Sequence, residues 1–436
     1  MFELCLSLFS VPYGAQPSVE VEEIVSRYVS PNNGAGPLWC YGAPLLVRQG
    51  DSVFVNAMET GEDVPPLCNT RWQIFQRDAN GWHRRQHAED FREREPCPLV
   101  GFADGRLFLS VNPSTESTGT QYGTCQPYLL EFTSEALQNS GVAIHPDWAE
   151  GYRFTDHSYR GIAVDAQRGE LLVLNIDSPT GKQYWSYRDT SGAWVKRGRI
   201  QFPIRSCYPQ VALRNRAAYV LAIGDIVEPN EEWRTYKHEQ TGRAWDYVFR
   251  RLFYAWTPDI AQSDFAEPIE LDNLDATAGY IRNLDLWLDA EGAAHLLYLK
   301  QPVQSHLMRD KFFPDQPMTA SLEYCVLKAG EIIGRDTLVE GGEGLSNEVP
   351  GNARFHATAD GRLFVVYYTN GENKMLQVLP NRQDPVHIPL EKPFHTFFTA
   401  TERGGSAPSE MLDLFGVGED SLILRYARIQ LPPHSN

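Results

Sequence analysis

The sequence predicts an all-β fold: a seven-bladed β-propeller of four-stranded antiparallel blades, closed by an N-terminal strand. Three observations carry this expectation. Seven hairpin signatures recur along the 436 residues, each a tight turn between two short apolar runs. Their spacing is roughly 50 residues or more, which is the length of a propeller blade. Nothing between the hairpins shows sustained helical periodicity, so a parallel βαβ architecture is disfavoured.

The seven turns are Gly50-Asp51, Asp104-Gly105, Arg168-Gly169, Asn215-Arg216, Glu291-Gly292, Asp360-Gly361 and Gly418-Glu419. Apolar runs such as APLLVR and MLDLFGV precede them, and runs such as SVFVNA and DSLILRY follow. Inner strands are therefore expected to begin near Tyr41, Pro96, His157, Cys207, Ile281, Ala353 and Glu410. Most units show a third strand, for example TRWQIFQR and QYWSYR. The last unit lacks room for its outer strands. The alternating segment SVEVEEIVSRYV near the N-terminus is expected to complete it, which removes the exposed edges of an open ring. One propeller domain is thus expected over residues 18–436. Residues 1–17 read as a signal remnant or an N-terminal extension. Residues 2–11 are apolar and Tyr13-Gly14-Ala15 follows, but no basic segment leads. A secreted or periplasmic location is the corresponding expectation.

A net charge of −17 argues against general attraction to nucleic acid or anionic membranes. No stretch approaches the roughly 18 apolar residues of a membrane span. The 39 cationic side chains divide into 8 lysines and 31 arginines. Arginine presents a planar fork that suits carboxylate, sulfate or phosphate, although a GC-rich genome explains the bias equally well. Seven cysteines stand at 5, 40, 68, 97, 125, 207 and 325 with no CxxC pair. They read as buried free thiols, with one disulfide among Cys68, Cys97 and Cys125 as the alternative. No GxGxxG, P-loop, HExxH or EF-hand pattern is present, so no cofactor is expected. Only a structural metal held by ligands remote in sequence stays open. A monomer acting on a polysaccharide or oligosaccharide is the partner expectation.

In this topology the seven tight turns share one face, and the long second-to-third-strand connections share the other. The long connections cover 59–69, 112–126, 177–182, 224–246 and 301–320, and such one-sided insertions mark a binding face. The residues entering the inner strands there are rich in cationic and phenolic groups. His157, Ser158, Tyr159 and Arg160 open blade 3, and Arg205, Ser206, Cys207 and Tyr208 open blade 4. Arg282 belongs to blade 5, and Arg354 and His356 to blade 6. The loops add Arg71, Trp72, Asp225 and Glu228, with Trp233 and Trp245 nearby as a sugar-stacking platform. Each of these alone is more often a hydrogen-bonded core or rim residue, and it is their recurrence in four consecutive blades that makes a site.

Two third-strand turns, RDANGW at 77–82 and RDTSGAW at 188–194, resemble degenerate Asp-boxes. With the blades in place, residues 35–430 resemble the BNR-repeat propellers, a group that includes sialidases, ulvan lyases and related rhamnosidases. The resemblance implies that these boxes are structural turns. In sialidases the first blade begins with Arg-Ile-Pro, whose arginine holds the sialate carboxylate. The matching segment here is Tyr41-Gly42-Ala43-Pro44, with glycine in the arginine's place. The constellation of His, Tyr and Arg is more similar to that of propeller-type ulvan lyases. On that likeness Arg205 neutralises a uronate carboxylate, His157 is the base, and Tyr208 or Tyr159 is the acid. Hydrolysis would instead call on paired carboxylates, for which Asp156, Asp225, Glu228 and Glu410 are the candidates. A sialidase-like hydrolase and a non-catalytic glycan-binding or scaffold propeller are the other readings, since fold does not decide function.

Overall fold

The computed structural model describes residues 16–39, 41–243 and 246–433. Seven four-stranded antiparallel sheets stand in a ring. Their inner strands are Leu46–Gln49, Leu99–Gly101, Gly161–Asp165, Ser206–Arg214, Tyr280–Leu288, Pro350–Ala357 and Thr396–Thr399. The strand Ser18–Arg27 is the outer strand of blade 7 and pairs with Ile423–Gln430, from Ser18 opposite Gln430 to Arg27 opposite Ile423. N- and C-terminal segments are thereby sewn into one sheet, as the alternating pattern predicts.

Blade 7 corrects one reading. Its inner strand is Thr396–Thr399, not the run beginning near Glu410; Met411–Val417 is its second strand and Ile423–Gln430 its third. The Gly418-Glu419 turn therefore joins second to third strand, and six of the seven tight turns share a face. The segment TFFT is four residues long, too short for hairpin periodicity to mark, and a loop of eleven residues (400–410) parts it from the next strand.

The long connections are also more ordered than expected. Those of blades 4 and 5 carry two helices, α1 (Glu231–Thr241) and α2 (His306–Phe312). No residue of α1 is buried, so it has no apolar stripe for periodicity to reveal. Its ends are capped: Asn230 Oδ1 accepts from the Trp233 amide at 3.1 Å, and Gly242 ends the helix at φ 65°.

Apolar faces of neighbouring blades fill the spaces between sheets. Trp185, Tyr187, Leu172, Val211 and Val220 form one such layer between blades 3 and 4. Each large side chain so buried stabilises the ring by roughly 1.5–3 kcal/mol. Both Asp-type turns are built to hold shape. Asp78 Oδ1 accepts from the Asn80 amide at 2.8 Å, and Asp189 Oδ1 from those of Ser191 and Ala193 at 2.9 and 3.2 Å. Trp82 packs edge-on against Tyr426, which belongs to blade 7.

The centre of the ring is not open. The segment leading into blade 1, residues 41–44, crosses it. The Tyr41 carbonyl accepts from Arg354 Nη2 of blade 6 at 2.5 Å and from Gln210 Nε2 of blade 4 at 3.5 Å. The Gly42 carbonyl accepts from Arg403 Nη1 at 2.8 Å. Arg403 is held in turn by Asp285 Oδ1 at 3.0 Å and Gln210 Oε1 at 2.8 Å, all of them buried. Arg354 also donates to the carbonyls of Leu284 and Phe397. A charged group buried here without such partners would be strongly destabilising.

His356 lies on the tight-turn side of this crossing, buried, with Nε2 2.8 Å from the Ser409 carbonyl. Burial lowers its pKa to about 4. The sign follows from linkage. The ring stays neutral in the folded state while the unfolded chain takes up a proton below its ordinary value near 6.5. Its contribution is therefore complete above pH ~6.5 and is lost as pH falls towards 4, by about 3 kcal/mol. Urea unfolding at stepped pH checks this: His356→Asn should show a shallower fall between pH 7 and 4 than the parent protein.

Candidate functional site

On the face of the long connections, the structure brings together all four residues expected to do chemistry. Their backbone explains the placement. Tyr159 and Tyr208 both hold left-handed conformations, at φ 39° and 50°. Such a φ is costly for a bulky residue and persists only where surroundings enforce it. The Glu95 carboxylate enforces the first, accepting from the amides of Ser158 and Tyr159 at 3.3 Å and from Ser158 Oγ at 2.6 Å. At the second, the pairing of blade 4's inner strand breaks between Cys207 and Gln210, and Asn283 Nδ2 donates to the Tyr208 carbonyl at 2.7 Å. Pro209 follows, which ordinarily pushes its predecessor away from this region.

These bends turn the phenol rings towards one another. Tyr159 meets Tyr208 edge-on with centroids 4.8 Å apart, and Tyr208 stacks on Tyr41 at 4.7 Å. The Arg205 guanidinium lies 5.3 Å over the Tyr159 ring, and the Arg282 guanidinium 4.4 Å over Tyr41. The His157 ring centre is 6.0 Å from that of Tyr159. Its Nδ1 is 3.0 Å from Asp156 Oδ2, and Arg94 Nη1 lies 2.8 Å from Nδ1 and 2.7 Å from Nε2. Since a carboxylate only accepts, we assign the proton of the neutral ring to Nδ1, which leaves the Nε2 lone pair as the reactive one.

Exposure divides the cluster. His157 and Arg205 keep 29% and 22% of their side chains accessible, whereas Tyr159 and Tyr208 are buried. Burial raises the pKa of both phenols, so each is protonated at neutral pH and a weaker acid than a free phenol. Burial also works against the Arg205 charge, but Asp225, in contact with its Nη1, outweighs it and raises the guanidinium pKa. Arg282 forms no ion pair or hydrogen bond among the described residues, and its Nε is buried without a partner. Among the described residues its charge meets only the Tyr41 ring.

Other expected binding residues serve the scaffold. Trp72 is buried between blades 1 and 2 with Cys97 and Phe132, and Arg71 pairs with Glu59 at 2.8 Å beside Phe91. Arg160 is 2% exposed and donates to the carbonyls of Ser110, Glu95 and Pro96, so it cannot reach a ligand. Glu228 is buried between Arg250 and Lys237, where it anchors the α1 insertion. Arg354 is sealed in the crossing, and His356 lies on the opposite face. Trp233 packs on Phe312 and Phe313 and joins α1 to α2 rather than presenting a platform; Trp245 falls outside the described residues. Of the carboxylates weighed for hydrolysis, all four are ion-paired: Asp156 with Arg94, Asp225 with Arg205, Glu228 with Arg250, and Glu410 with Arg362.

Arg94 was missed, although it stands at the entrance of blade 2, the position that singled out residues of blades 3 to 6. It is buried, bonds to the Asn33 carbonyl at 3.0 Å and pairs with Asp156 at 2.6 Å. Cys68, Cys97, Cys125, Cys207 and Cys325 are free thiols; Cys5 and Cys40 fall outside the described residues. Cys68 and Cys125 face each other, and that contact together with burial raises the Cys125 pKa. The described residues contain no group of three or more His, Cys, Asp or Glu able to hold a metal. No helix among them is long and apolar enough to cross a membrane. The apolar stretch at residues 2–11 also lies outside the described residues.

No family model and no curated protein matches the sequence. Among solved structures the chain is similar to the polysaccharide lyase Uly1, at 10% identity and TM-score 0.53, over 89% of this chain and 90% of that one. It is also similar to an apocarotenoid oxygenase of Synechocystis (10%, TM-score 0.46, 94% and 99%). A third is the NanB sialidase of Streptococcus pneumoniae (9%, TM-score 0.43, 80% and 67%). At 10% identity the likeness to the lyase shows the fold and nothing finer.

Gly42 cannot take a side chain in this structure. A Cβ there would lie 2.6 Å from the Tyr208 carbonyl oxygen and 2.7 Å from that of Pro209. Gly42→Ala should therefore destabilise the protein by about 1–3 kcal/mol, the usual cost of overpacking. Thermal unfolding measures this, and a melting temperature equal to that of the parent would show that the crossing segment yields freely.

Proposed function

We propose that the protein is a carbohydrate-active propeller that cleaves an acidic, uronate-bearing polysaccharide by β-elimination. One observation carries the reading: His157, Tyr159, Arg205 and Tyr208 form one contact cluster, which Arg94 joins through His157 and Arg282 through Tyr41. The same fold serves a polysaccharide lyase, so the scaffold is known to accommodate such chemistry. A hydrolase needs two carboxylates at liberty to act, and every candidate here is tied to a cation.

The division of labour follows from exposure and charge. Arg282 and Arg205 hold the uronate carboxylate and stabilise the enolate charge that develops on it. His157 Nε2 takes the C5 proton, exchanging its contact with Arg94 for the substrate, while Asp156 fixes the ring through Nδ1. The C4–O4 bond breaks as the C4–C5 double bond forms, and the departing oxygen takes a proton from a phenol. Tyr159 is the better donor, because it lies under Arg205 and beside His157, whereas Tyr208 is one ring further away against Tyr41. The working unit on this reading is one propeller from residue 18 onward, acting as a monomer. Its polymeric substrate would place it outside the cytoplasm.

His157→Ala is expected to lower kcat by about 10²–10⁴, the usual worth of a positioned base, and Tyr159→Phe to lower it comparably. Tyr208→Phe should cost much less. The ultraviolet absorbance of unsaturated products, followed on a panel of uronate-containing polymers, reads this directly. Full activity in both His157→Ala and Arg205→Ala, or release of reducing ends without absorbance, would overturn the reading.

A further inference from the structure

Two of the free thiols meet where blades 1, 2 and 3 adjoin on the face of the long connections. Cys68 ends the connection between the second and third strands of blade 1, and Cys125 closes the corresponding connection of blade 2. Their side chains are in hydrogen-bonding contact. Backbone bonds that do not involve sulfur hold both residues. Beside Cys68, the Leu67 carbonyl accepts from Asn33 Nδ2 at 2.6 Å, and Asn69 Nδ2 donates to the Pro31 carbonyl at 2.9 Å. The Cys125 amide donates to the Phe154 carbonyl at 3.1 Å, and the neighbouring Thr124 bridges to Thr155. The fold itself therefore brings the two sulfurs together. Cys97, the third thiol weighed as a partner, is set apart: it is 1% exposed and lies 3.6 Å from Arg160 Nη1.

The two thiols differ in access. Cys68 is partly exposed, whereas Cys125 is 8% exposed. Thiol–disulfide exchange starts at an accessible sulfur, which makes Cys68 the point of entry and Cys125 the resolving thiol. Among the described residues the pair belongs to no group of three or more His, Cys, Asp or Glu able to hold a metal. Leu67, next to Cys68, holds φ 137°, which a bulky residue keeps only where its surroundings enforce it. A covalent link at the following residue adds to that enforcement.

The surroundings connect this pair to the candidate site. Asn33, which holds Leu67 and Asn69, accepts through its own carbonyl from Arg94 at 3.0 Å. Phe154 and Thr155, which hold Cys125 and Thr124, lead directly into Asp156 and His157. One bond between the sulfurs thus joins the two supports of the Arg94–Asp156–His157 array.

We propose that Cys68 and Cys125 are an oxidation site whose disulfide clamps the segments that carry this array. The oxidant is a low-molecular-weight disulfide. The Cys68 thiolate attacks one of its sulfurs, and the half expelled takes up the proton that Cys68 gave. Cys125 then attacks Cys68 Sγ, and the second half leaves with the proton of Cys125. Two protein thiols become one disulfide while the small disulfide is reduced to two thiols. The proposal does not rest on the lyase reading of the site.

Mass spectrometry of the whole protein after incubation with glutathione disulfide, digested without reduction, tests it. Peptides joined through Cys68 and Cys125 should appear, with Cys97, Cys207 and Cys325 still open to alkylation after denaturation. The oxidised form should melt about 5 °C above the form reduced with dithiothreitol. Its amide hydrogens in residues 62–69 and 154–157 should exchange more slowly. Cys68→Ser should abolish both differences, and Cys125→Ala should do the same should the first variant not fold. Glutathione retained on Cys68 without a cross-link would overturn the proposal. So would a bond from either residue to Cys5 or Cys40, or melting and exchange unchanged once the cross-link has formed.

Discussion

The structure depends on one constraint: a glycine backbone must pass through the middle of the ring. Seven blades leave an axial space lined by inner strands whose carbonyls need donors. Here the lead-in to blade 1 fills it, and Arg354, Arg403 and Gln210 reach in from blades 6, 7 and 4 to bind it. The same atoms that close the channel tie distant blades together, so the fold and the partition of its two faces are one device. Gly42 is the narrowest point, packed on the Tyr208 and Pro209 carbonyls with no room for a Cβ.

That contact reaches the candidate site directly. Tyr208 is held at φ 50° partly because Gly42 lies against its carbonyl and Asn283 donates to it. Tyr159 is held at φ 39° by Glu95 from the neighbouring blade. Blades 5 and 6 also shift register in their inner strands, but without a positive-φ residue, so neither left-handed bend is needed to make a blade. Their shared effect is to bring the two phenol rings together, Tyr159 beside Arg205 and His157 and Tyr208 against Tyr41. Strain kept in place by buried carboxylate and amide partners is what a preorganised site requires.

How far this was legible in the sequence follows from what each feature depends on. Hairpin turns are local, so the repeat, the ring and its closure by residues 18–27 could be read directly. Blade 7 was misaligned by one strand because TFFT is too short to show a period. Among the site residues, His157, Tyr159, Arg205 and Tyr208 were found because strand entrances on one face must converge. The same rule named Arg160 and Arg354, which point into the scaffold, since position along a strand does not say whether an arginine meets solvent or carbonyls. His356 is two residues beyond Arg354, and at about 3.3 Å of rise per residue that carries it past the crossing to the other face. Arg94 obeys the same rule, at the entrance of blade 2 within the charged run 92–95. Gly42 could be seen as a missing arginine, but its reason, a carbonyl from a blade across the ring, is a tertiary fact.

The arginine bias then has a structural meaning that composition alone did not reveal. Arg160, Arg354 and Arg403 are spent on main-chain carbonyls and buried carboxylates, which a planar five-donor fork can satisfy and a lysine cannot. Only a minority, with Arg282 the clearest, remain for a ligand on the long-loop face. Counting arginines therefore overstates the anion-binding capacity of this chain. What decides that capacity is how many of those charges are already answered: both arginines that bind the axial crossing are, and Arg282, among the described residues, meets only the Tyr41 ring.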